Sequence, residues 1–166
     1  MRFKTADLCD AHSEKIQILS PGLLSYGGKP QFYGRIVTLK LFEDNSLLRD
    51  LLGDTGDGRV IVVDGGGSQR CALLGDMLAS KAVQNGWGGL VINGCIRDSA
   101  EINEMNIGIR ALGTHPLKSL KKGVGEKNLP VHFACVEFRP GDYLYADEDG
   151  ILVAQDSLLP DPGMQL

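Results

Sequence analysis

The chain has 166 residues, 43% of them hydrophobic, with 17 basic and 21 acidic residues and a formal net charge of −4, a length that suits one globular domain with a real core and is short for two. The acidic balance, with no basic cluster beyond Lys118, Lys121 and Lys122, argues against direct nucleic-acid binding. Cys9, Cys71, Cys95 and Cys135 are scattered, the opening MRFKTADLCD lacks the apolar core of a signal peptide, and no apolar run approaches the roughly 20 residues of a membrane span, so a cytoplasmic, membrane-free protein with free thiols is expected.

In chain order, residues 5–19 (TADLCDAHSEKIQIL) read as a helix capped by Thr5, 34–42 (GRIVTLKLF) as a strand, and 43–52 (EDNSLLRDLL) as a helix entered through Asp44, Asn45 or Ser46. The run 59–64 (RVIVVD) is the clearest buried strand. Residues 75–86 (GDMLASKAVQNG) follow as a helix with Met77, Leu78, Ala82 and Val83 at helical spacing and a stop at Gly86. Strands are expected at 89–93 (GLVIN) and 107–113 (IGIRALG), with a short helix at 99–106 (SAEINEMN) between them. Strands at 131–138, 142–147 and 150–155 close the chain, with turns at Pro140-Gly141 and Asp149-Gly150. Strand–helix alternation followed by consecutive strands implies one α/β domain over 1–166 made of layered sheets and helices, not a doubly wound sheet.

The strand at 59–64 runs into Asp64-Gly65-Gly66-Gly67, which raises the question of a nucleotide or S-adenosylmethionine cradle. Such a site wants an acidic residue closing the next strand to grip a ribose, and here that strand ends in Asn93-Gly94-Cys95. No Gly-Lys-Ser/Thr follows the glycines, so a P-loop is disfavoured more strongly still. The glycines then serve as a sharp connection, with chemistry placed elsewhere.

Downstream, Gly75-Asp76-Met77-Leu78 opens a helix, where unpaired N–H groups and the helix dipole favour an anion such as a small carboxylate. The next strand delivers Arg97 and Asp98 to a loop at a strand end. There a guanidinium can grip a carboxylate or keto oxygen, and a carboxylate can hold Mg²⁺ or Mn²⁺. The same residues have plainer readings, with Asp76 favoured by the helix dipole and Asp98-Ser99 capping the next helix. Local pattern leaves both open.

The whole arrangement of Asp76, twenty intervening residues and Arg97-Asp98, together with VVDGGG, FEDNSLLRDLL, AVQNGWGGLVINGCIRD and GDYLYADEDGIL, resembles the family of 4-hydroxy-4-methyl-2-oxoglutarate aldolases and RraA, the regulator of ribonuclease activity A. The resemblance runs from TADLCD to GILVA. It implies a layered β/β/α fold like the swivelling phosphohistidine domain, assembled as a ring-shaped trimer able to pair into a hexamer. It also implies a class II aldolase acting on small 2-oxo acids with Mg²⁺ or Mn²⁺. In that reading the backbone of Gly75, Asp76, Met77 and Leu78 holds the pyruvyl carboxylate, Arg97 contacts the keto or enolate oxygen, Asp98 anchors the cation, and Asp76 supports a metal-bound water. The regulator branch lacks the aspartate after the arginine, whereas this chain keeps Arg97-Asp98.

The implied chemistry is cleavage of 4-hydroxy-4-methyl-2-oxoglutarate through the enolate of pyruvate, with the cation and Arg97 stabilising the charge and a metal-bound water as the expected base. Decarboxylation of oxaloacetate passes through the same enolate and is expected beside it. The competing reading is a non-catalytic regulator that docks on a ribonuclease or RNA helicase, for which an acidic surface is suited. Some family members take an acidic residue from a neighbouring subunit's C-terminal extension. This sequence ends at Leu166, and Glu43 and Asp44 are substitutes weighed against helix capping. Lys81 offers a Schiff-base alternative but lies a turn into a helix with nothing to depress its pKa. His12, His115 and His132 have no metal-ligand spacing, and Cys71 and Cys95 read as buried, inert thiols.

Overall fold

The computed structural model describes residues 2–160, so the last six residues, including Leu166, lie outside the description. Its centre is the parallel set β3 (Phe32–Lys40), β4 (Val60–Asp64), β6 (Gly89–Ile96) and β7 (Gly108–Thr114), paired in that order. β2 (Leu24–Tyr26) adds antiparallel to β7 at one edge. β11 (Tyr143–Ala146), β12 (Ile151–Ala154) and β1 (Ile16–Ile18) extend the sheet antiparallel from β3 at the other. Short β5 (Ala72–Leu74) pairs with β6 and β8 (Glu126–Lys127) with β3, giving ten strands. Helices α2 (Ser46–Leu52), α3 (Asp76–Gln84) and α4 (Ser99–Asn103) cover one face, and α1 (Thr5–His12) lies near β11 and β12.

Period-two side-chain alternation explains the layers. In β4, Ile61 and Val63 point with Leu39, Leu90 and Ile92 onto Leu48, Leu52, Ala79, Ala82 and Ile102 of the helices. Val60 and Val62 point the other way, with Ile36 and Val91, onto Phe133, Val136, Phe138, Leu144 and Val153. A strand buried on both faces reads as an unbroken apolar run, and that is why VIVVD was legible.

Several boundaries differ from expectation. The helix expected over 5–19 stops at His12, and Ile16–Ile18 becomes edge strand β1, with Ile16 opposite Ala154 and Ile18 opposite Leu152. A β-branched residue at every second position favours that pairing over another helical turn. The strand expected over 131–138 is a hairpin, β9 (Val131–Phe133) and β10 (Val136–Phe138). Its turn residues Ala134 and Cys135 both take positive φ, 49° and 61°, the backbone that Asn-Gly usually supplies. On α3 the buried face is Ala79 and Ala82, whereas Met77 is 81% exposed and Val83 is also exposed. α4 ends at Asn103, short of 106. β6 continues past Asn93 to Ile96, with a register irregularity against β7 between Ile92 and Cys95.

The glycine run is a turn. Asp64 Oδ1 accepts from the Gly66 N–H at 3.0 Å and from Asn93 Nδ2 at 3.2 Å. Gly66 has φ +66°, and a Cβ there lies 2.7 Å from the Phe42 ring. The exposed ring can swing aside, so the left-handed backbone is the cost. Gly66→Val is expected to lower stability by about 1–2 kcal/mol. Thermal unfolding checks this, and an unchanged melt contradicts it.

Candidate active site

β6 ends by delivering Arg97 and Asp98 beside the start of α3. The Arg97 N–H donates to the Leu74 carbonyl at 2.9 Å, fixing the loop to β5. Asp98 holds φ 55°, ψ 40°, a left-handed conformation unusual for a residue with a side chain. It occupies the N-cap position of α4 but does not cap it. Its Oδ2 instead accepts from the Asp76 N–H of α3 at 3.1 Å. The carboxylate therefore sits on the positive end of a different helix from the one expected.

Arg97 Nε lies 3.8 Å from Asp98 Oδ2, with the two side chains 40% and 37% exposed. Asp76 Oδ1 accepts from the Met77 N–H at 2.8 Å. Two of the amides expected to bind substrate are thus engaged by carboxylates, and among the described residues the Leu78 N–H has no acceptor. Gly75 is where the backbone must stay bare, since a Cβ there lies 2.7 Å from Asp98 Oδ2 and 3.3 Å from Arg97 Nε.

All six expected residues, Gly75, Asp76, Met77, Leu78, Arg97 and Asp98, line one cleft of about 210 Å³. The same cleft is lined by Asn45, Arg49, Lys118, Ser119 and Lys121, which sequence reasoning did not place there. The available signal was the lysine cluster in an otherwise acidic chain. Four cationic side chains face two carboxylates in this cleft, so it favours an anionic ligand.

Glu43 and Asp44 do not line the cleft. Glu43 Oε1 accepts from Arg70 Nε at 2.6 Å and from the Ser68 hydroxyl at 2.7 Å. Asp44 is buried and ties down the lysine-bearing loop: Oδ1 accepts from the Ser46 N–H and hydroxyl at 2.9 and 2.6 Å, and Oδ2 from the Lys122 and Val124 N–H groups at 2.8 and 3.1 Å. Burial pushes this carboxyl up, but the hydrogen bonds from Ser46, Val124 and Lys122 outweigh it and hold the carboxyl well below the ordinary carboxylate range. Asp44→Asn is expected to lose on the order of 1–3 kcal/mol of stability, because buried donors lose their charged acceptor. The folded pKa is depressed, so the native advantage is complete above the unfolded value of about 3.9 and fades as pH falls below it. Melting both proteins from pH 7 to pH 3 checks this, with the gap constant down to about pH 4 and shrinking beneath.

Lys81 Nζ donates to the Arg49 carbonyl at 3.3 Å and does not line the cleft. His115 Nδ1 accepts from the Leu117 N–H at 3.1 Å, a turn contact. Burial pushes the Cys71 and Cys95 thiols up, which suppresses their nucleophilic form.

Among the described residues no group of three or more His, Cys, Asp or Glu side chains is placed to hold a metal ion. Asp76 and Asp98 each keep one carboxylate oxygen without a protein partner among the described residues. That donor set suits a hydrated hard cation such as Mg²⁺, which uses one or two carboxylates and completes its shell with water and ligand oxygens. It does not suit zinc, which takes three or four nitrogen, sulfur or carboxylate ligands.

A family model described as RraA-like, Aldolase/RraA, matches residues 5–153. A protein of Laribacter hongkongensis, provisionally named 4-hydroxy-4-methyl-2-oxoglutarate aldolase, is 60% identical over 159 residues, covering 96% of this chain and 100% of its own. A protein of Dechloromonas aromatica with the same provisional name is 57% identical over 162 residues, covering 95% and 99%. The crystal structure of an S-adenosylmethionine: 2-dimethylmenaquinone methyltransferase from Geobacillus kaustophilus superposes with TM-score 0.94 at 50% identity, covering 97% of this chain and 100% of that one. The RNA-processing inhibitor RraA from Thermus thermophilis superposes with TM-score 0.92 at 44% identity, covering 99% and 98%.

Proposed function

This chain belongs to the RraA-like family, and from that membership and the Arg97–Asp98 cleft we propose that it is a divalent-cation-dependent class II aldolase cleaving 4-hydroxy-4-methyl-2-oxoglutarate to pyruvate, with decarboxylation of oxaloacetate as a second outcome. The observation that carries the reading is Asp98. Its carboxylate is held at the N-terminus of α3 by the Asp76 N–H, beside Arg97, in a cleft with a surplus of cations.

Asp98 would hold the cation through its free oxygen, and Asp76 would hold a water of the cation's shell through its own. When bound, it supplies Lewis-acid stabilisation of negative charge on the substrate's 2-keto oxygen. The chain's own residues do the rest. The Leu78 N–H and the positive end of α3 orient the C1 carboxylate. Arg97 places its guanidinium beside the 2-keto oxygen, where charge grows as the C3–C4 bond breaks. The C4 hydroxyl gives its proton to water, C4 becomes the keto carbon of one pyruvate, and C3 of the enolate takes a proton from water to become the methyl of the other. In oxaloacetate the bond to the departing carboxylate breaks instead and leaves the same enolate.

Methyl transfer, in the name of one structural relative, finds less support. A 210 Å³ cleft is below the range usual for drug-sized ligands. β6, the strand paired beside β4, carries Asn93 opposite Asp64, where a ribose-gripping acid is needed. The likeness to RraA favours a second reading, a regulator that binds a ribonuclease through its surface and needs neither Arg97 nor a cation for chemistry. Pyruvate release from 4-hydroxy-4-methyl-2-oxoglutarate in the presence of Mg²⁺ separates the two.

A further inference from the structure

We infer that Asn93 is a positioning residue for the site: its side chain, pinned to Asp64, holds the bend in β6 that aims Arg97 and Asp98 at the start of α3. The inference rests on the aldolase reading for the chemistry this placement serves. It gives a task to two features of the chain that the chemistry leaves unused, Asp64-Gly65-Gly66-Gly67 and Asn93-Gly94.

The bend is a one-residue bulge. On β6, Asn93 and Gly94 lie between Ile92, which is opposite Ala111, and Cys95, which is opposite Gly113, so two residues face the single Leu112 of β7. A bulge bends its strand, leaves the extra residue outside the regular ladder and, beside functional sites, re-aims the side chains that follow. Here the missing partners come from the glycine turn. Asn93 stands opposite Asp64 in the pairing of β6 with β4, and its Nδ2 donates at 3.2 Å to Asp64 Oδ1, the oxygen that also accepts from the Gly66 N–H at 3.0 Å. The Asn93 carbonyl accepts from the Gly67 N–H at 3.1 Å. Gly65 keeps this approach open, since a Cβ there lies 2.7 Å from the Asn93 carbonyl oxygen. The glycine run thus clasps the bulge from β4.

Beyond the bulge the placement passes through backbone. Cys95 pairs with Ala72 and Ile96 with Leu74, and the Arg97 N–H donates to the Leu74 carbonyl at 2.9 Å. Asp98 then accepts from the Asp76 N–H at 3.1 Å. Asn93 does not line the cleft, so it acts only through where β6 puts these two residues.

The test compares the native protein with Asn93→Asp and with the swap Asn93→Asp/Asp64→Asn. The single substitution removes the donor and sets two carboxylates against each other, whereas the swap restores an amide–carboxylate pair with its roles reversed. Position is read from hydrogen exchange of the Asp76 amide by NMR. That N–H, in the first turn of α3, has no partner within its helix, and among the described residues Asp98 alone accepts it. Asn93→Asp is expected to speed its exchange about tenfold, the protection given by one charge-assisted bond, and the swap to return it to within about threefold of native. The Ala79 amide of the same helix, which donates to the Gly75 carbonyl at 3.0 Å, should change in neither. In oxaloacetate decarboxylation with Mg²⁺, kcat should fall about tenfold in Asn93→Asp with KM little changed, and recover in the swap. Asp64→Asn, which only neutralises the acceptor, should give the same changes at smaller size and serves if Asn93→Asp does not fold. An Asp76 amide that does not respond overturns the inference, as does exchange that accelerates equally at Ala79 or that the swap fails to restore. Failure of the aldolase reading shows separately, as absent pyruvate release by native protein, because the amide measurement needs no turnover.

Discussion

Replacing Asp98 with alanine is expected to cut cation-dependent pyruvate formation from oxaloacetate roughly 100- to 1000-fold, the usual cost of losing one preorganised stabiliser of transition-state charge. The side chain has two tasks in the proposed site. It holds the cation through its free oxygen and accepts the Asp76 N–H at 3.1 Å. Arg97→Lys is expected to be severely impaired although it keeps the charge, because an ammonium cannot reproduce the planar two-point contact of a guanidinium. Both side chains are part-exposed, so both variants should fold, with the Asp98→Ala melt lowered by the left-handed backbone at that position and the lost bond to the Asp76 N–H. Steady-state rates corrected for decarboxylation by free Mg²⁺ provide the measurement, and an Asp98→Ala variant that keeps native kcat/KM removes Asp98 from the chemistry.

Gly75→Ala is expected to lower the same activity by on the order of 100-fold, the effect of misplacing a reacting group by about an ångström. Gly75 has φ −125°, a conformation alanine adopts freely, so the backbone need not move. The added Cβ lies 2.7 Å from Asp98 Oδ2, and the carboxylate must leave its place on α3. Paired melting and rate measurements distinguish this from unfolding. A variant with native rates shows that the close approach is unimportant to function, and one that loses activity and fold together shows a structural role.

The parallel core was readable because strands buried on both faces, such as Val60–Asp64, are continuous apolar runs between turn signals. The Ala134-Cys135 turn was not, because its left-handed backbone is imposed by the pairing of β9 and β10 and not advertised by Asn or Gly. Strands as short as Ala72–Leu74 exist only through their partners, here β6. The site shows the same division. Gly75 to Leu78 and Arg97-Asp98 sit at a helix start and a strand end, both marked in sequence, and the structure brings them to one cleft. That Asp98 serves α3 instead of its own helix is a tertiary fact with no local signal. Asn45, Lys118, Ser119 and Lys121 reach the cleft by way of the Asp44 fastening, which joins residues 78 and 80 positions apart. A lysine cluster on an irregular loop reads as solvated surface until that fastening is seen.

The measurement that bears most directly on the assignment is pyruvate release from 4-hydroxy-4-methyl-2-oxoglutarate by the purified native protein, followed continuously with lactate dehydrogenase and NADH. A class II aldolase is expected to release pyruvate well above the rate with Mg²⁺ alone, to lose that activity on chelation and regain it with Mg²⁺ or Mn²⁺, and to yield two pyruvates for each substrate consumed. A native, folded protein that adds nothing to the free-metal rate with this substrate or with oxaloacetate contradicts the aldolase assignment.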